Sequence, residues 1–326
     1  MTPSTPSAEA FGALFDAGWY LARYPEARAS ALGPLAHYLA AGDAAGCAPH
    51  PLFDPACYSE QYPEIPKSGG ARLLHYIEAG ERGGAVPHPL FDPRFYLERS
   101  PDLQALAEPL LAHFCQYGAA EERWPNPLFD IEFYCAQLGP DAAGTNPLVH
   151  YMEQGDGEGL APHALFDPGY YGSQQPQLPE EGGARLAHYL REGGREGTNP
   201  HPLFFSDFYR GQRAPGSESA VPALAHYLAK GEDLGLAPNP LFDPAFYLEA
   251  NPDLAGIDSL LGHYVRFGAG EGRAPNALFA PEFYAEQVRG RSIARGELLA
   301  HYLEIGEAEG LRPHPLFDPV HCGGQG

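Results

Sequence analysis

The chain has 326 residues, with 42 acidic against 20 basic side chains and a formal net charge of −22. That charge repels phosphate backbones and anionic lipid, and no basic block overrides it, so nucleic acid and membrane surfaces are poor partners. Gly and Pro are abundant at 39 and 35 residues, yet aromatics make up 12% of the chain, a combination that disordered chains lack and a periodic fold accommodates.

Residues 1–10 read as a disordered tail. The opening MTPSTPSAEAF has no basic start followed by an apolar run, so no Sec signal is expected. No window approaches the roughly 18 uninterrupted apolar residues of a spanning helix, so no membrane insertion is expected either. The expected location is cytoplasmic, with non-Sec export left open. Five cysteines, without CxxC spacing, argue against both a disulfide framework and a zinc knuckle.

From residue 11 the chain repeats itself. The dipeptide Leu-Phe begins at Leu14, Leu52, Leu90, Leu128, Leu165, Leu203, Leu241, Leu278 and Leu316, at intervals of 37 or 38 residues. A second marker keeps the same register: His37, His75, His113, His150, His188, His226, His263 and His301, each followed by Tyr except at Phe114. These markers define eight complete repeats, opening at the first eight leucines, and a truncated ninth.

In the clearest copy Asp243 predicts an N-cap and Pro244 a first helical residue, because the carboxylate accepts orphan N–H groups and proline has none to leave unpaired. Asp54, Asp92, Asp130, Asp167 and Asp318 hold the same place. A short helix follows with Phe246 and Tyr247 toward the core, and Pro252 stops it. Leu260, Leu261, Tyr264 and Val265, spaced three and four apart, predict a second helix that Gly268 ends. Glycines and an extended proline segment then lead to the next joint, HPLFDP in its fullest form.

Two short helices cannot bury their apolar faces alone, whereas stacked pairs can. The pattern predicts an all-α fold, an α-solenoid of eight helix-pair repeats over residues 11–314, with residues 315–326 a truncated repeat and flexible tail. Repeats are expected to touch chiefly their neighbours. A β-solenoid is disfavoured because apolar residues recur at three and four rather than two.

The consensus HYLxxGxxEGxxPxPLFDPxFYLxxNPDL resembles a bacterial repeat found beside glycosyltransferase and rhamnan-synthesis-type domains of surface polysaccharide assembly. A related unit occurs in large exported bacterial proteins. The resemblance spans residues 11–319 and implies a link to polysaccharide assembly without implying a reaction. Departures bear on chemistry: Phe205 and Ala280 replace the capping Asp, with Ser206 a substitute cap, and Ala45, Gly83 and Leu234 replace the Glu of GxxEG.

Eight histidines in register beside acids suggest zinc, iron or manganese, since imidazole and carboxylate ligate all three. Against this, repeats that lack an acid keep their His. The expected role is structural, with the imidazole at the edge of the apolar stripe bonding a carbonyl of the neighbouring repeat, and no metal or cofactor is expected. His50, His88, His163, His201 and His314 alternate with Asn126, Asn239 and Asn276 before the joint, the mark of a turn residue accepting local bonds. Cys57, Cys115 and Cys135 stand in Phe or Leu slots as small apolar substitutes. Cys47, in a loop, is the expected exposed thiol, and Cys322 beside His321 is a second candidate reactive thiol.

Function is therefore expected to be non-catalytic: a scaffold that binds a protein or glycan partner through residues that vary between repeats. Two alternatives are a carbohydrate-active enzyme with a site among repeat-specific residues such as Arg210, Arg213 or Trp124, and an array presenting one motif to a modifying enzyme.

Overall fold

The computed structural model describes residues 11–106, 108–139, 144–213 and 221–316. The N-terminal tail, Asp318, His321 and Cys322 lie outside the described residues. The fold is all-α, eight helix pairs at the repeat spacing, and among the described residues the only β-type pairings are isolated bridges such as His88–Phe91 and His163–Phe166.

The first helix starts where the caps place it. Asp54 Oδ1 accepts the N–H of Ala56 at 2.8 Å and of Cys57 at 3.1 Å, and Pro55 leads the helix Pro55–Gln61. Asp92, Asp130, Asp167 and Asp243 cap their helices in the same way. Phe205 and Ala280 make no side-chain cap. Ser206 does not substitute, contrary to expectation. It fills the proline slot, where its N–H goes to Asn199 Oδ1 at 2.8 Å and its hydroxyl to the Thr198 carbonyl at 2.9 Å.

A backbone bond explains why those two repeats survive. The N–H of the capping residue donates to a proline carbonyl at the next joint: Asp54 to Pro87 at 2.8 Å, Asp92 to Pro125, Phe205 to Pro238 and Ala280 to Pro313 at 2.9 Å. This rung between successive joints needs no particular side chain.

The second helix has four α-helical residues, or five in repeats two and five, and then a single π turn in all eight repeats, Leu110–His113 followed by Phe114–Gly118 in repeat three. Gly268 therefore does not end its helix. It closes the π turn in right-handed backbone, φ −59°, and the left-handed terminator is Gly272 at φ +76°. Repeat three places Glu122 in that slot at φ +57°, a conformation that costs a residue with a Cβ.

The core of each repeat is a cluster of rings. In repeat four Phe129 packs against Tyr134 at 5.1 Å and Tyr151 at 5.6 Å, and the two tyrosines meet edge to face at 5.7 Å and 89°. All three are fully buried. The expected core residue Tyr247 is buried too, whereas Phe246 and Val265 are only half-buried.

The described residues form two compact bodies, 11–162 with 181–183, and 163–180 with 184–316. Within each, some interactions reach past the neighbouring repeat. In the first body Leu110–His113 of repeat three packs on Gly12–Leu14 at the first joint, and Trp19 Nε1 donates to Glu153 Oε1 of repeat four at 3.0 Å. In the second, Tyr170 of repeat five is raised in pKa by burial and further by the Glu304 carboxylate of repeat eight.

Candidate functional site

The register histidines all make one contact. Nδ1 of His37, His75, His113 and His150 meets the hydroxyl of Tyr20, Tyr58, Tyr96 and Tyr134 at 2.9, 2.5, 2.9 and 2.7 Å. His188, His226, His263 and His301 meet Tyr171, Tyr209, Tyr247 and Tyr284 at 2.6, 2.6, 3.0 and 2.6 Å. The partner is thus a phenol of the same repeat and not a neighbouring carbonyl. The phenol is delivered by the first helix and the imidazole by the second, so the bond locks the two helices of one repeat.

The glycine of HYLxxG makes room for it. A Cβ on Gly42 would lie 2.1 Å from Tyr20 Oη, on Gly118 1.9 Å from Tyr96 Oη and on Gly268 2.0 Å from Tyr247 Oη. The hydroxyl is seated between the His and the Gly at the two ends of the π turn, so His, Tyr, Gly and the π geometry form one device repeated eight times. Burial raises the tyrosines, to about 12 at Tyr209, Tyr247 and Tyr284, which keeps the phenols neutral. Among the described residues no three His, Cys, Asp or Glu side chains converge on a common point.

The joint histidines behave as the Asn exchange suggests. Nδ1 of His50, His88, His163 and His201 accepts the N–H of the joint leucine two residues on, at 3.0 to 3.1 Å. Asn126 and Asn239 accept the same N–H through Oδ1 at 2.9 Å. Accepting at Nδ1 requires neutral imidazole with its proton on Nε2. Burial lowers His50, His88 and His201 to about 4 and His163 to about 3. His50, His88 and His163 and the Leu-Phe pairs beside them are buried, His201 is half-buried, and the joint leucines Leu278 and Leu316 are exposed.

Sequence reasoning missed the residue after the π-turn glycine. Glu81 accepts the N–H of Leu110 at 2.7 Å and of Leu111 at 3.4 Å, capping the second helix of the following repeat, and burial raises its carboxyl. Glu232 does the same for Leu260 at 2.7 Å and Leu261 at 3.2 Å. Asp43 holds the Gly70 N–H at 2.8 Å and forms a buried ion pair with Arg72 at 2.6 Å. Where repeat three has Ala119, the next helix is capped by its own Asn146. The signal exists only when two consecutive repeats are read together. Gln61 was also missed: its amide both donates to the Val86 carbonyl at 2.8 Å and accepts the Val86 N–H at 2.9 Å, and Gln137, Gln174, Gln212 and Gln287 pair likewise.

Of the thiols, Cys47 is buried against Tyr20, Ala27 and Tyr38, and burial pushes its pKa up, so it is not the exposed loop thiol expected. Cys57 is buried, but Cys135 is exposed rather than a core substitute. Arg210, a candidate for repeat-specific chemistry, donates to the Arg195 carbonyl and pairs with Asp207.

What the repeats do not share lies at the surface. Tyr117 and Phe267, 52% and 50% exposed, occupy the slot before the π-turn glycine in repeats three and seven, each with its ring 5.7 Å from the register His. Beside Tyr117 in sequence, Arg123 clasps both oxygens of Asp102 at 2.9 and 2.8 Å and Glu121 at 2.6 Å, and it holds the Asp102 carboxyl below the usual range. Repeat seven repeats the arrangement with Arg273, Asp253 at 3.0 Å and Glu271 at 2.7 Å. Repeat three adds Trp124, with the Arg99 guanidinium 5.1 Å over its ring, on an open cleft of about 430 Å³ that Arg123 also lines.

No protein-family model matches the chain, and comparison with curated proteins and with solved structures finds no similar protein. Among the described residues no helix is long and apolar enough to cross a membrane.

Proposed function

We propose that this chain is a non-catalytic repeat scaffold that binds a glycan through its unrepeated surface aromatics, in keeping with the resemblance to repeats of surface polysaccharide assembly. The observation that carries the reading is the division of labour between repeated and unrepeated residues. The repeated His, Tyr, Asp and Gly are consumed in contacts within and between repeats. Tyr117 and Phe267 stand half-exposed, and in the same two repeats Arg123 and Arg273 are each held between two carboxylates at the surface. A sugar presents an apolar face to a ring and hydroxyls to charged hydrogen-bonding groups, and an aromatic flanked by a few placed polar groups suits both.

Calorimetric titration with oligosaccharides cut from bacterial surface polysaccharides tests this. Replacing Tyr117 and Phe267 together with Ala is expected to weaken binding at least tenfold while the circular dichroism spectrum stays unchanged. Undiminished binding by that variant, or no binding of any such oligosaccharide by the wild type, overturns the glycan assignment. A protein captured from a bacterial lysate by the wild type and lost with the same variant would make the partner a protein on the same surface.

A further inference from the structure

Repeat three departs from the repeat pattern at positions that line one cleft. Four residues after the π-turn glycine the chain has Gly46, Gly84, Gly159, Gly197, Gly235, Gly272 and Gly310, all in left-handed backbone, whereas repeat three holds Glu122 there at φ +57°. A Cβ is strained in that conformation, so Glu122 costs the fold what glycine would not. Its side chain is exposed and makes no hydrogen bond or ion pair among the described residues. Trp124, Arg99 and Ser100 line the same open cleft of about 430 Å³. The half-buried indole has the Arg99 guanidinium 5.1 Å over its ring. Ser100 is 3% exposed, yet its hydroxyl has no protein partner among the described residues. A buried hydroxyl left without a partner at the wall of a cleft is a group that a ligand satisfies.

Repeat seven shows that the fold does not need these residues. It has the same clamp of Arg273 between Asp253 and Glu271. Ala250, Asn251, Gly272 and Ala274 stand where repeat three has Arg99, Ser100, Glu122 and Trp124. Asn251 donates to the Tyr247 carbonyl at 2.7 Å and accepts from Arg273 at 3.0 Å, so both ends of its amide are used inside the repeat. The four departures of repeat three from that pattern, one of them strained, converge on one cleft.

We propose that this cleft, given the glycan reading above on which the inference rests, is the subsite that selects the sugar, and that the sugar it takes is uncharged. The Trp124 ring receives the C–H face of a pyranose, the Glu122 carboxylate accepts from neighbouring hydroxyls, and the Ser100 hydroxyl bonds another. Arg123 is already committed to Asp102 and Glu121. Around the cleft the carboxylates of Asp102, Glu121 and Glu122 outnumber the guanidiniums of Arg99 and Arg123, in a chain of net charge −22, so a uronic acid or other anionic sugar is repelled.

Oligosaccharides cut from bacterial surface polysaccharides and separated by anion exchange into a neutral and an acidic pool are the probes. In a Trp19→Phe background Trp124 is the sole indole, and the neutral pool is expected to shift its fluorescence to shorter wavelength while the acidic pool leaves it unmoved. Glu122→Gly is expected to melt at a higher temperature than the wild type, because the strained residue is gone, and yet to bind the neutral pool at least tenfold more weakly by calorimetry. Ser100→Ala, which removes a hydroxyl the fold does not use, is expected to melt as the wild type does and to bind about fivefold more weakly. Neutral oligosaccharides that bind without moving Trp124 emission, and as tightly to Glu122→Gly as to the wild type, overturn this subsite while leaving the glycan reading to stand on Tyr117 and Phe267. Tighter binding of the acidic pool overturns the assignment of an uncharged sugar. Binding of neither pool overturns the subsite and the glycan reading together.

Discussion

A single buried phenol explains three separate features of the repeat. The hydroxyl of Tyr96 needs an acceptor or donor, which is His113, and it needs space, which is Gly118. A methyl group on Gly118 would lie 1.9 Å from that oxygen. Gly118→Ala is therefore expected to destabilise by about 1–3 kcal/mol, the range for overpacking, and Tyr96→Phe in the same chain is expected to recover part of the loss by vacating the space. Chemical denaturation of the two single variants and the double measures the coupling, and simple additivity would contradict the shared device.

The joint histidines set the pH dependence. Their folded values, about 4 for His50, His88 and His201, lie below the ordinary 6.5, so the unfolded chain binds the proton first. Their contribution is fully present above about 6.5 and is lost as pH falls toward 4, each site withdrawing about 1.4 kcal/mol per pH unit across that window. Glu81, raised by burial, works in the opposite sense over its own range. A melting temperature that drops between pH 6.5 and 4 is expected, and His88→Asn is expected to flatten the drop because Asn126 and Asn239 already fill the same role. An unchanged slope in that variant would contradict the assignment. The exchange of His for Asn was legible in the sequence. The phenol partner of the register histidines was not, because a contact made 16 or 17 residues apart inside every repeat looks like mere periodicity.

At the scale of the helix pair, the caps and joints were readable and their redundancy was not. Asp-Pro marked the first helices at Pro55, Pro93, Pro168 and Pro244 correctly because capping is local. The backbone rung from one joint to the next is invisible to side-chain reasoning, yet it carries Phe205 and Ala280, which have no cap. Asp54→Ala is accordingly expected to cost only about 1 kcal/mol, with the helix retained by circular dichroism. Removal of the Asp43 carboxylate, which leaves Arg72 buried without its ion-pair partner, is expected to cost about 3–5 kcal/mol. Equal losses at the two positions, measured by urea unfolding, would contradict this ordering. The Asp43–Arg72 pair escaped the sequence because it joins residues 29 apart in different repeats.

At the scale of the whole molecule, the repeat period and helical class were legible, and the reach of the contacts was not. A one-dimensional array gains stability from nearest neighbours only, but here a joint leucine is covered two repeats on. Each body is thus expected to unfold as one cooperative block rather than repeat by repeat. The repeated chemistry is architecture. Urea unfolding of the wild type and of His113→Ala, with and without a chelator, tests it most directly. The variant is expected to lose about 1–3 kcal/mol, the cost of leaving the buried Tyr96 hydroxyl unpaired, with both curves indifferent to chelation. A variant as stable as the wild type, or a wild type whose stability collapses when metal is removed, would contradict it.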